Sequence, residues 1–153
     1  MKKTLATLLV CILAPLPLAA QDKAEDLVAG MRKAPMTYAE LMRIMVHSIG
    51  MMQEGVLTQN RELVEQGANF MFTHPAPSHS PWAIMAPQDQ QGFKEALVTY
   101  DKVLDVNTHA ILKGSRGDDW FAASTALAEL QTSCLSCHLQ WKDKAQKWPR
   151  SGR

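Results

Sequence analysis

Cys134, Cys137 and His138 lie in one short run, Cys134-Leu135-Ser136-Cys137-His138. The spacing C-x-x-C-H is that of covalent haem attachment. Two thiols at this separation can add across the two vinyl groups of one porphyrin, and the imidazole that follows can coordinate its iron. On a helix turning about 100° per residue, Cys134 and His138 fall about 40° apart and the two cysteines about 60° apart. All three then leave the helix on one side. Two other chemistries use C-x-x-C. A zinc site needs a further pair of ligands, and the only other cysteine, Cys11, falls in a segment read below as removed. A redox dithiol follows a strand in a βαβ pattern, and no such pattern flanks this run.

The helix carrying the motif needs partners to enclose a cofactor. The chain has 153 residues, enough for one domain. Its formal net charge of +1 gives no electrostatic case for nucleic acid or for an anionic membrane surface. Residues 1–20 read as a cleaved signal peptide: Lys2 and Lys3, an apolar run from Thr4 to Leu18, then Ala19-Ala20. Pro15 and Pro17 interrupt the run, which is too short to span a bilayer stably. Cys11 lies inside it without the preceding small residue that a lipoprotein site wants. Cleavage before Gln21 leaves Cys134 and Cys137 as the sole thiols, with none spare for a disulfide. Residues 21–153 then form one domain, exported to the periplasm, where c-type haem is attached.

Hydrophobic spacing predicts four helices. A short helical turn over Ala24 to Arg32 leads in, and Pro35 closes it. Thr37 and Glu40 make a capping box for helix A, Tyr38 to about Leu57, with Met42, Met45, Ile49, Met52 and Val56 inward. Asn60 caps helix B, Arg61 to about Phe72, where Gly67 can mark a close helix approach. Thr73 to Gln88 holds four prolines and reads as a loop, with Trp82, Ile84 and Met85 folded back on the core. Helix C runs from about Asp89 to Lys113 and stops at Gly114-Ser115-Arg116-Gly117, with Phe93, Tyr100, Leu104 and Ile111 among its inward residues. Helix D is capped by Asp118 and runs from Asp119 to about Trp148, where Pro149 ends it. Trp120, Phe121, Leu127, Leu130, Cys134, Cys137, His138 and Trp141 follow its helical spacing. No alternating strand pattern stands out. The expected fold is all-α, an antiparallel four-helix bundle with the haem on helix D and helix A above it.

With these features in place, the chain resembles the cytochrome c prime family over nearly all of residues 21–153. A haem motif near the end of the last helix is typical of that family. So is an aromatic followed by a basic residue after the histidine, matched by Trp141-Lys142, although tyrosine or phenylalanine is the usual aromatic. Leu41-Met42 is similar to the pair that relatives place over the distal haem face. In low-spin relatives of the c-556 type that methionine binds the iron, and in five-coordinate members the sixth site stays empty. The resemblance implies one haem c held by Cys134 and Cys137, His138 as proximal ligand, Met42 as distal ligand, and Lys142 in the haem environment. The long proline loop departs from the family pattern. Relatives often dimerise through their first two helices, so a homodimer is open to this chain too.

Each of these residues has a plainer reading. Met42 on an amphipathic helix can be an ordinary core residue, and Met45, one turn on, is the next candidate ligand. His47 lies about 140° around helix A from Met42, so the two do not face one iron. His47, His74, His79 and His109 are the other possible axial ligands; the plainer reading has His74 and His79 of the loop facing solvent and His109, near the end of helix C, capping it or facing water. Lys142 at a helix C-terminus is favoured electrostatically whatever its role. Trp120, Phe121 and Trp141 read as core or haem-packing residues. A haem capped on both faces exchanges electrons and leaves little room for substrate. The expectation is a periplasmic one-electron carrier serving redox partner proteins, not an enzyme. The alternative is a five-coordinate protein binding nitric oxide or carbon monoxide. Arg43, adjacent to Met42, points elsewhere, and no distal histidine–arginine pair supports a peroxidase.

Overall fold

A computed structural model of the protein describes residues 23–145. The signal-peptide residues, Trp148, Pro149 and the tail lie outside the described residues. The protein is mostly helical, with five α-helices: α1 (Ala24–Ala29), α2 (Tyr38–Leu57), α3 (Arg61–Thr73), α4 (Pro87–Arg116) and α5 (Trp120–Trp141). Among the described residues the strand content is a pair of two-residue strands, β1 (Lys33–Ala34) and β2 (Ala76–Pro77), joined in parallel. This contact is too short to leave an alternating pattern in the sequence. It fastens the proline loop to the segment that precedes α2.

The start of α2 follows from its capping box. Thr37 Oγ1 accepts from the Glu40 N–H at 3.2 Å, and the Glu40 carboxylate accepts from the Thr37 N–H at 2.7 Å. Two otherwise orphaned donors are thereby satisfied. The Asn60 side chain accepts from the Leu63 N–H and starts α3 in the same manner. Asp119, not Asp118, caps α5, through the Ala122 N–H at 3.0 Å. Asp118 instead turns the chain with φ 57°, and its carboxylate takes the Arg61 guanidinium at 2.8 Å. Asparagine and aspartate tolerate this left-handed conformation better than most residues.

The helices pack through small residues. Ser48 Oγ donates to Gly67 O at 2.6 Å, and a Cβ at Gly67 would stand 2.7 Å from Ser48 O. Gly67 therefore does mark the close approach of α2 and α3. Gly114 plays the equivalent part between α4 and α5, where a Cβ would lie 2.7 Å from the Ala123 N. Far from stopping α4, Gly114 is inside it, and Gly117 is the cap. The main core joins Leu41, Met45, Met52, Val64, Ile111, Leu127 and Leu130 from four helices. A second cluster, Ile84, Met85, Phe93 and Trp141, ties the proline loop to the start of α4 and the end of α5. Trp82 packs against it half-buried, so the three loop residues do fold back.

Two expectations for the last helix are corrected. Its α-helical part ends at Trp141, and a 3₁₀ turn over Lys142–Lys144 follows. Lys144 there binds Asp89 at 2.9 Å and lies over the Trp141 ring at 4.9 Å, contacts that bend the chain back onto α4. Phe121 is 90 % exposed and belongs to no core. Its neighbour Trp120 takes the inward position, because consecutive residues diverge by about 100° around a helix.

Gly114→Ala should destabilise the protein by about 1–3 kcal/mol, as overpacking does when the neighbour is backbone and has to move. Chemical denaturation would measure it, with Gly50→Ala as the control, since a Cβ there meets nothing within 4 Å.

Candidate functional site

α2 has two working faces. Leu41, Met45, Ser48, Met52 and Val56 are buried against the other helices. Beside them, Met42, Met45, Val46 and Ile49 line a cavity. Their spacing of three, four and seven places them on one stripe, and Met45 serves both faces. Met42 and Ile49, half-buried, both line the cavity and pack against the main core, in keeping with the inward stripe read from the sequence.

The opposite wall comes from α5: Ser133, Cys134, Cys137 and His138 line the same cavity. The helix thus delivers both thiols and the imidazole on one side, as their spacing requires. Leu97, Tyr100, Asp101 and Leu104 of α4 close a third side, and Leu27, Val28 and Met31 from α1 and the turn after it another. The cavity measures about 1000 Å³ with its open mouth included, and its surface is almost wholly apolar. Val46, 62 % exposed while lining it, marks the mouth.

Cys134 and Cys137 are free thiols and half-buried. Burial pushes both thiols up from the ordinary range, and the charge of Cys134 adds to the effect at Cys137. A reactive dithiol has the reverse shift, a depressed pKa that supplies thiolate at neutral pH. Among the described residues no group of three or more His, Cys, Asp or Glu converges as a metal cluster. Tyr38 lines the cavity beside Cys137, and burial pushes its phenol up, with Cys137 adding to the shift.

The remaining candidates separate cleanly. His74, expected in solvent, lines the cavity instead; the β1–β2 staple holds the start of the loop inward. No local signal in the sequence reports that long-range contact. Asp101, also lining the cavity, is pushed up by burial, and the nearby His74 opposes that shift. His47 is exposed on another face of α2. His109 is exposed, with its ring against Phe72 and Nδ1 at 2.9 Å from Asp105 O. His79 is half-buried in the loop and does not line the cavity. Lys142 stands exposed in the 3₁₀ turn, outside the cavity lining. Trp141 is buried against Phe93, ring centroids 5.4 Å apart, and backs the wall near Cys137.

The residues present fit a large, flat, apolar group with a metal at its centre. Two thiols can tether it, an imidazole and two thioether sulfurs are available as soft or borderline donors, and the walls would exclude water. No known protein family, curated protein or solved structure matches the chain in the comparisons made.

Asp101 yields a prediction with a definite sign. Its folded-state pKa lies above the unfolded value, so its charge penalises the fold at neutral pH. That penalty disappears once pH falls below the unfolded value. Asp101→Asn should therefore raise the melting temperature at pH 7, and the gain should shrink to nothing as pH is lowered through the carboxylate range.

Proposed function

We propose that this chain is a monohaem c-type cytochrome of the periplasm and works as a one-electron carrier, not as an enzyme. One observation carries the reading: Cys134, Cys137 and His138 of α5 line a single apolar cavity together with Met42 and Met45 of α2. When bound, haem c supplies reversible one-electron exchange between ferric and ferrous iron. Cys134 and Cys137 would tether it through thioethers, and His138 would be the proximal ligand. Met42 is the distal ligand we favour, and Met45, one turn further along the same stripe, is the next candidate. A methionine sulfur raises the potential of the iron relative to a second histidine.

The four longer helices, α2 to α5, read as an antiparallel four-helix bundle around this site. With haem bound, the apolar walls would limit the access of water and polar anions. Packing contacts such as those at Gly67 and Gly114 would hold the ligand-bearing helices alike in both oxidation states. Lys142, exposed at the end of α5, would act on the cofactor from outside the cavity. Among the described residues no helix is long and apolar enough to cross a membrane. The export signal expected over residues 1–20 supports the periplasmic assignment, and the first two long helices are the surface through which a homodimer would form.

Expression in a host with a c-type maturation system tests the reading directly. The mass should exceed that of the cleaved polypeptide by one haem, and the colour should survive denaturing electrophoresis. Cys134→Ser/Cys137→Ser should abolish this retention. The wild-type spectrum should be low-spin in both oxidation states, and Met42→Ala should convert it to a broad high-spin one. A high-spin wild-type spectrum that shifts with carbon monoxide would instead establish the five-coordinate, gas-binding protein. An unchanged low-spin spectrum in Met42→Ala would transfer the sixth position to Met45 or His74.

A further inference from the structure

A second groove lies beyond His74. Arg32, Arg43, His47 and His74 line it, over an apolar floor that includes Ile44 and Phe70. Arg43 and His47 are four residues apart on α2 and so project from one face. No acidic residue lines the groove. Neither the Arg32 nor the Arg43 side chain has a hydrogen-bond or ion-pair partner among the described residues. Elsewhere on the surface Lys94, Arg61, Arg116 and Lys144 each hold a carboxylate. Two uncompensated guanidiniums thus share one lining without an acidic residue, whereas other cations that hold no carboxylate, such as Lys23 and Lys113, do not line the groove.

We propose that this groove is the docking surface for an acidic patch on the redox partner. The proposal rests on the carrier reading and names the chemistry of the partner. Two unpaired guanidiniums can each take a carboxylate in bidentate fashion, which ammonium groups cannot do. The apolar floor, with Phe70 47 % exposed, supplies a contact to desolvate at the centre, and the charge on the rim steers the approach. Position adds a further argument. His74 lines both the groove and the cavity of the cysteine motif. A partner seated here would share His74 with that cavity, and electron transfer favours a short path.

The test uses the haem-loaded protein, with an oligoglutamate peptide as the probe for the acidic patch. The peptide should bind by calorimetry at low ionic strength, and added salt should weaken the binding. Arg32→Glu/Arg43→Glu should abolish it, and Arg32→Gln/Arg43→Gln should weaken it partly. Both arginines are exposed, so the variants should melt like the wild type. In stopped flow, oxidation of the reduced protein by ferricyanide should slow about tenfold in the charge-reversed variant, as expected of lost steering. Oxidation by a cationic cobalt complex should not slow. Lys23→Glu/Lys113→Glu, an equal change of net charge elsewhere, should leave peptide binding intact. Binding indifferent to the arginines, or equally sensitive to the lysines, would overturn the proposal. So would binding of inorganic phosphate without oligoglutamate, which would make the groove a small-anion site. A chain that carries no haem and still binds the peptide through the arginines would overturn the carrier reading, and with it the redox role of the partner, while leaving the groove a site for acidic ligands.

Discussion

Helix separation is the constraint on which the cavity depends. Two pairs of helices touch at the level of the backbone, α2 on α3 at Gly67 and α4 on α5 at Gly114. These contacts permit almost no side chain between the partners. The remaining space is therefore pushed to the other faces, between α2, α4 and the end of α5. Apolar walls of Met, Leu and Ile that face no partner lose dispersion contacts and hydrophobic burial. The walls of this cavity are shaped by contacts elsewhere, and their own side chains do not collapse into it.

The candidate site lies where α2 and α5 line one cavity. Each helix divides its surface between packing and site. On α2 the division runs through Met45, which belongs to the core and to the cavity lining together. On α5 the upper half, with Ala123, Ala126, Leu127 and Leu130, is buried in the core. Its lower half presents Cys134, Cys137 and His138 to the cavity. Burial raises both thiols, the opposite of the shift a reactive dithiol needs.

The local parts of this arrangement were legible in the sequence. Both ends of α2 follow from Thr37, Glu40 and an apolar period, and Asn60 gives the start of α3. That Cys134, Cys137 and His138 leave α5 on one side was legible because positions three and four apart fall together on a helix. What escaped was set by contacts between distant residues. Asp118 could not be told from Asp119 as the cap without knowing that Arg61 holds it. The end of α5 at Trp141 depends on Lys144 reaching Asp89. His74 read as a surface residue because nothing nearby reports the β1–β2 pairing. Phe121 was misplaced for another reason: two adjacent aromatics satisfy a loose helical period equally, and only packing chooses Trp120.

The β1–β2 staple joins Ala34 to Pro77 and so brings Val28 and Met31, from the beginning of the described chain, to the same enclosure as Cys137 and His138 near its end. Closing contacts across so much intervening chain costs entropy that nearby contacts do not. The enclosure therefore exists only where segments from both ends of the described chain meet, and a chain cut before α5 would lack the wall that carries Cys134, Cys137 and His138.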